Sequence, residues 1–172
     1  TNRCNGRAKT RAPLNGDVKV QMDLRAALPV LLPKAIAWAQ EEESRAAISG
    51  RGLTADEITL ARKVGVVNAE LIRVQSCDRL PMPPDPSLQA AAVQTGLLGP
   101  GIVGLTLGHS VFVCRGHETR RLLAHEFRHV FQYEQSGSIA GFLPVYLQQI
   151  VTVGYRNAPL EIDARAHENV AP

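Results

Sequence analysis

One run, His125-Glu126-Phe127-Arg128-His129, constrains this chain more than any other stretch, because H-E-x-x-H acquires a chemical meaning as soon as it is helical. On a helix, residues four apart differ by about 40° around the axis and about 6 Å along it, so both imidazoles can converge on one metal ion. Glu126 sits about 100° round from His125 and can reach a water on that ion. The surrounding segment 118–133, ETRRLLAHEFRHVFQY, gives the helix an apolar surface through Leu122, Leu123, Phe127 and Val130. Such a helix packs, and packing keeps ligands on rigid backbone. The competing reading is a solvated helix face with two unengaged histidines. An upstream strand pair, the helix start just before His125 and a downstream carboxylate cluster at Glu161 and Asp163 favour the metal reading.

The 172 residues are enough for one well-filled core, and 45% hydrophobic with 20% charged residues is ordinary for a folded domain. Residues 18–172 read as a single domain. Residues 1–17 read as a flexible basic tail, since Arg3, Arg7, Lys9 and Arg11 crowd a stretch with no hydrophobic period. The formal charge of +3 is therefore partly a tail property. With aromatics at 5% and the other basic residues interspersed with acidic ones, no nucleic-acid partner is expected.

Cys4, Cys77 and Cys114 are odd in number and lack C-x-x-C spacing, so they suggest neither a zinc knuckle nor a disulfide framework. Cys77 and Cys114 each lie near an expected strand, as one disulfide or as free thiols, and Cys4 falls in the tail. No transmembrane span is expected: the weakly charged stretch 88–113 is broken by Gly96, Gly99, Pro100, Gly101 and Gly104. The first residue is Thr1 and not Met, which fits removal of a leader, so secreted or periplasmic and cytoplasmic locations all stay open.

Taken in order, Leu24, Leu28, Leu31, Leu32, Ala35, Ile36 and Ala39 recur at helical spacing and predict a helix from about Leu24 to Ser49, with Trp38 as a packing residue. Pro29 and Pro33 predict a boundary or kink near its front. Gly50-Arg51-Gly52 stops it, and Thr54 with Glu57 forms a capping box that starts a short helix to about Val64. A strand follows at 71–75. Residues 79–86 read as extended loop because of prolines at 81, 83, 84 and 86. Leu105-Thr106-Leu107 and Val111-Phe112-Val113 flank Gly108-His109-Ser110 as a hairpin. After the metal-site helix come a second helix at 139–153, a loop at 154–159 and a last helix opened by Pro159. The predicted class is α+β: a small antiparallel sheet with a hairpin, then the H-E-x-x-H helix and further helices.

With these residues in view, the chain resembles the zincin metallopeptidases, in particular the gluzincin branch and its compact bacterial domains, which are sometimes exported or attached to toxin-like proteins. The resemblance covers roughly residues 53–167 and rests on the Leu-Thr-x-x-Glu helix start, the hairpin GLTLGHSVFV, the run LLAHEFRHVFQYE and the downstream PLEIDARA. It implies a zincin-like fold, a Zn2+ ion held by His125, His129 and Glu161, and Glu126 as general base. Asp163 is the alternative third ligand, and Glu161 has a structural explanation as well, since helix N-termini favour carboxylates. Arg165 stands where such domains often carry an Asp that orients a ligand histidine, which leaves Asp163 or a backbone carbonyl for that task. A donor to the developing oxyanion is expected from Tyr155, with Arg156 and Tyr133 as alternatives. The substrate implied is a peptide or protein lying in a cleft beside the hairpin 105–113. His109 and His117 read as turn and surface histidines. The competing function is a non-catalytic zinc-binding or structural module, in which Asp163 or His167 would close the coordination, or an effector or toxin-associated protein.

Overall fold

Strand β3 (Ser110–Cys114) is the most apolar of the described strands and takes the centre of the only sheet among the described residues. The computed structural model describes residues 21–169, so the expected tail and Cys4 lie outside it. In chain order the other elements are α1 (Leu24–Ser49), α2 (Ala55–Lys63), β1 (Arg73–Cys77), α3 (Pro86–Thr95), β2 (Gly104–Leu107), α4 (Arg120–Ser136), α5 (Ile139–Val153) and α6 (Pro159–Ala166). The class is α+β, with six α-helices and a mixed three-stranded sheet among the described residues.

The sheet departs from the expected antiparallel arrangement. β2 pairs with β3 antiparallel through the predicted hairpin, but β1 pairs with β3 in parallel. The reason is topological: the connection from β1 to β3 carries α3 and β2, a crossover long enough to return the chain in the direction of β1. Cys77 and Cys114 end up as register partners on β1 and β3, both as free thiols, and burial and the neighbouring thiol push Cys77 up to about 11.

α3 is the element the sequence reading lacked. Asp85 caps it, its carboxylate accepting from Ser87 N at 3.0 Å and Leu88 N at 2.9 Å, and Pro86 occupies the first turn, where a missing N–H costs nothing. Prolines taken as loop markers thus end in a helix start. α1 has its expected bounds, Leu24–Ser49, and is continuous through Pro29 and Pro33. Both are exposed, so the carbonyls that lose their helical donor face water. The capping box of α2 is formed as expected, with Thr54 N donating to Glu57 Oε2 at 2.8 Å and Glu57 N to Thr54 Oγ1 at 3.3 Å.

The two faces of the sheet bury different partners. Val74, Val111 and Val113 share a core with Leu60 of α2 and Leu123, Phe127 and Val130 of α4. Leu107 and Phe112 share the other with Leu31, Ala35 and Ala39 of α1 and Phe142 and Leu143 of α5. This layering clamps α4 over the β2 end of the sheet, and that is where its histidines face. No helix among the described residues is long and apolar enough to cross a membrane.

Candidate metal centre

α4 begins at Thr119, whose hydroxyl accepts from Leu122 N at 3.2 Å, and carries His125 and His129 one turn apart with their Nε2 atoms 3.2 Å from one another. The third member arrives from α6. Pro159 starts that helix, and Glu161 in its first turn points inward, 1% exposed, with Oε1 3.2 Å from His129 Nε2 and Oε2 3.7 Å from His125 Nε2. The His125 and His129 side chains are 12% and 9% exposed.

The donor set fits a metal ion. Tetrahedral zinc with bonds of about 2.0–2.1 Å places neighbouring ligand atoms about 3.3 Å apart, close to the separations found here. Glu161 Oε2 is buried without a hydrogen-bond partner among the described residues, an expensive arrangement for a carboxylate that a cation would relieve. The group His125, His129 and Glu161 can therefore hold a metal ion.

The distal ring nitrogens are also held. Gln132 Nε2 donates to Leu160 O at 2.9 Å and to Asp163 Oδ2 at 2.8 Å, which turns Gln132 Oε1 toward His129 Nδ1 at 2.8 Å. Glu168 Oε1 lies 3.1 Å from His125 Nδ1, and Glu168 is itself gripped by Arg121 Nε at 2.6 Å. Both acceptors require a proton on Nδ1, so both imidazoles present the Nε2 lone pair to the cluster. Asp163 lies outside the group formed by His125, His129 and Glu161. It accepts from Arg128 at 2.7 and 3.0 Å and acts on the site through Gln132, one step further out than expected. Gln132 could have been found by its i, i+3 relation to His129; Glu168, in the turn after α6, has no spacing signal.

Glu126 belongs to the same helix but not to the ligand group. It is 4% exposed, and Thr106 of β2 donates to its Oε2 at 2.7 Å. Gly104 lies opposite, where a Cβ would collide with the Glu126 carboxylate. Only glycine leaves that carboxylate in place. A second glycine obeys the same logic: Gly108, in the hairpin turn with φ 61°, gives room to Glu43, which accepts from His109 N at 3.0 Å and so ties the hairpin to α1.

Of the three expected oxyanion donors, Tyr155 borders the metal group, and burial together with the Glu161 charge raises its pKa, keeping the phenol protonated. Tyr133 is core, its ring 3.9 Å from that of Phe142. Arg156 is exposed and offers its carbonyl to Arg165. Tyr146, which the sequence reading passed over, donates to Glu161 Oε1 at 2.7 Å. His109 contacts Glu134 Oε1 at 3.1 Å, and His117 is exposed, both away from the metal group.

Burial opposes protonation of His129, but its contact with Glu161 and the charges of Glu161 and Glu126 outweigh this and raise its pKa. Glu161 is the mirror case: burial pushes its pKa up, His129 and Tyr146 pull it down further. Two spaces meet at the site, an apolar cavity toward α1 and α5 and an open groove toward Arg121, Arg156 and Arg165. His125, Glu126, Tyr155 and Glu161 border both.

No family model, no curated protein and no solved structure matches this chain. The likeness to gluzincins therefore stands on the motif residues alone.

Proposed function

We propose that the protein is a zinc-dependent hydrolase of zincin-like build whose substrates are peptides. The observation that carries the reading is Glu126: a buried carboxylate outside the ligand group, held by Thr106 and cleared by Gly104, where the metal group meets an open groove. Two imidazoles and one carboxylate are a donor set suited to zinc. Zinc bound there supplies a Lewis acid and lowers the pKa of water. Glu126 is placed to take a proton from the attacking water and to pass it to the leaving amine. Tyr155, protonated and beside the cluster, is placed to donate to the oxygen on which charge develops. β2 ends the sheet, and its Gly104 lines the groove, so an extended peptide has a strand edge to pair with.

A closed structural site would need a fourth protein ligand. The two residues considered for it are engaged elsewhere: Asp163 with Arg128, and His167 Nδ1 with Asp163 O at 2.8 Å. The test pairs zinc content with turnover of a mixed peptide library followed by mass spectrometry, for the parent and for Glu126→Gln. The reading expects full zinc in both and a loss of roughly a hundred- to ten-thousandfold in cleavage for the variant. Equal cleavage by both would remove Glu126 as the base, and a parent that takes up no zinc would remove the function.

A further inference from the structure

We propose that the apolar cavity adjoining the metal group is a specificity chamber for one bulky apolar side chain of the substrate, of isobutyl to benzyl size. The inference rests on the peptidase reading and adds to it a substrate class. The cavity has a volume of about 140 Å³. A protein cavity of roughly this size lined by Leu, Ile and Phe accepts benzene, which sets the scale of the occupant.

Away from the metal group its walls are apolar apart from Thr95 of α3. α1 contributes Leu31 and Trp38, the segment after α3 contributes Leu98, β2 contributes Leu105, and α5 contributes Phe142 and Leu147. The remaining side is the site itself, with His125, Glu126, His129, Tyr155 and Glu161. Among the described residues, the only carboxylates on the lining are therefore Glu126 and Glu161, and no lysine or arginine lies there. A charged occupant would lose its hydration without gaining a partner, whereas an apolar one gains by leaving water. Because the chamber opens onto the ligands and the base, its occupant is the side chain next to the bond being cut.

A second observation points the same way. Trp38 lines the cavity, and its Nε1–H is buried with no acceptor among the described residues. Buried donors are seldom left unmet. An oxygen of the bound chain, from a peptide carbonyl or a phenol, would satisfy it. Four alanines, Ala35 and Ala39 of α1 and Ala91 and Ala92 of α3, line the same space, and their small size leaves the room that the occupant takes.

Trp38 is the only tryptophan in the chain, so its emission reports on this chamber directly. The experiment titrates the zinc-free and zinc-loaded protein with N-acetylphenylalaninamide, N-acetylleucinamide, N-acetylalaninamide and N-decanoylglycinamide. The expected result is a saturable emission change with the phenylalanine and leucine amides, and binding at least roughly tenfold weaker for alanine. Ala35→Phe, which fills the chamber from α1, abolishes the response; Ala91→Leu, from α3, weakens it and serves if the first variant does not fold by circular dichroism. In cleavage assays, peptides with phenylalanine or leucine beside the cut are preferred to alanine by roughly tenfold to a hundredfold, and filling the chamber removes the preference. Equal responses to all four amides, no response at all, or tightest binding by the decanoyl chain would each overturn the proposal. A specific emission response without cleavage of any peptide supports the chamber and counts against the peptidase reading; cleavage without any response overturns the chamber alone.

Discussion

His129 Nδ1 and Gln132 Oε1 lie 2.8 Å apart on the same face of α4, and this contact aims the His129 Nε2 lone pair at Glu161 and His125. Gln132 is fixed in turn by Leu160 O and Asp163, so α6 orients a ligand on α4 as well as supplying one of its own. Replacing Gln132 with Ala leaves His129 free to rotate and to change tautomer. Zinc affinity is expected to fall roughly ten- to hundredfold with little loss of helix content, as read by competition with a chromophoric chelator. Unchanged affinity would mean that packing alone holds the ring.

Glu168 performs the matching task for His125 through a 3.1 Å contact. Because it lies in the turn after α6, its removal disturbs no core. Glu168→Ala is expected to weaken zinc by a similar factor, while Glu161→Ala, which deletes a ligand, should lose far more than Asp163→Ala. A larger loss for Asp163 than for Glu161 would reassign the third ligand.

Zinc retention should depend on pH with a definite sign. Burial disfavours the His129 imidazolium, yet the Glu161 contact and charge prevail, so its pKa stands above the ordinary 6.5. Zinc must displace that proton, and its affinity therefore falls as pH drops through the raised value. Equilibrium dialysis near the dissociation constant should show retention starting to fall above pH 6.5, with proton release on binding in lightly buffered solution. A flat profile would contradict the electrostatics of the cluster.

A second carboxylate controls acid stability away from the site. Glu134 on α4 accepts from Val67 N at 2.7 Å and Asn68 N at 2.9 Å, with its side chain 7% exposed. Burial raises its pKa, the two amides and His109 lower it, and the net shift is downward from 4.5. A depressed folded pKa stabilises the fold above the unfolded value, and this contribution is lost as pH falls through the folded one. Glu134→Gln is expected to cost about 1–3 kcal/mol near neutral pH in urea unfolding and to flatten the decline below pH 4.5.

Periodicity and caps located most elements, because α1, α4 and α5 bury long apolar faces and α2 carries a complete capping box. The exception traces to proline. Residues 79–86 read as loop because of their prolines, yet Pro86 starts α3. Sheet direction was not legible, since it depends on the crossover that α3 makes, and α3 was missing from the reading. The metal group was legible because three of its features are local: the four-residue spacing, the apolar face and the Pro159 helix start. Gln132 has a local signal in its i, i+3 relation to His129, whereas Glu168, Tyr146 and Thr106 have none, because each reaches the site by tertiary packing and not by a spacing rule.

The most direct test of the account is a crystal structure of the zinc-soaked protein with anomalous data at the zinc edge. The account predicts one ion bound by His125 Nε2, His129 Nε2 and a Glu161 carboxylate oxygen, with no fourth protein ligand and with Glu126 outside the first coordination sphere. An ion bound elsewhere, or bound here with Asp163, His167 or Glu126 as a further ligand, would contradict it.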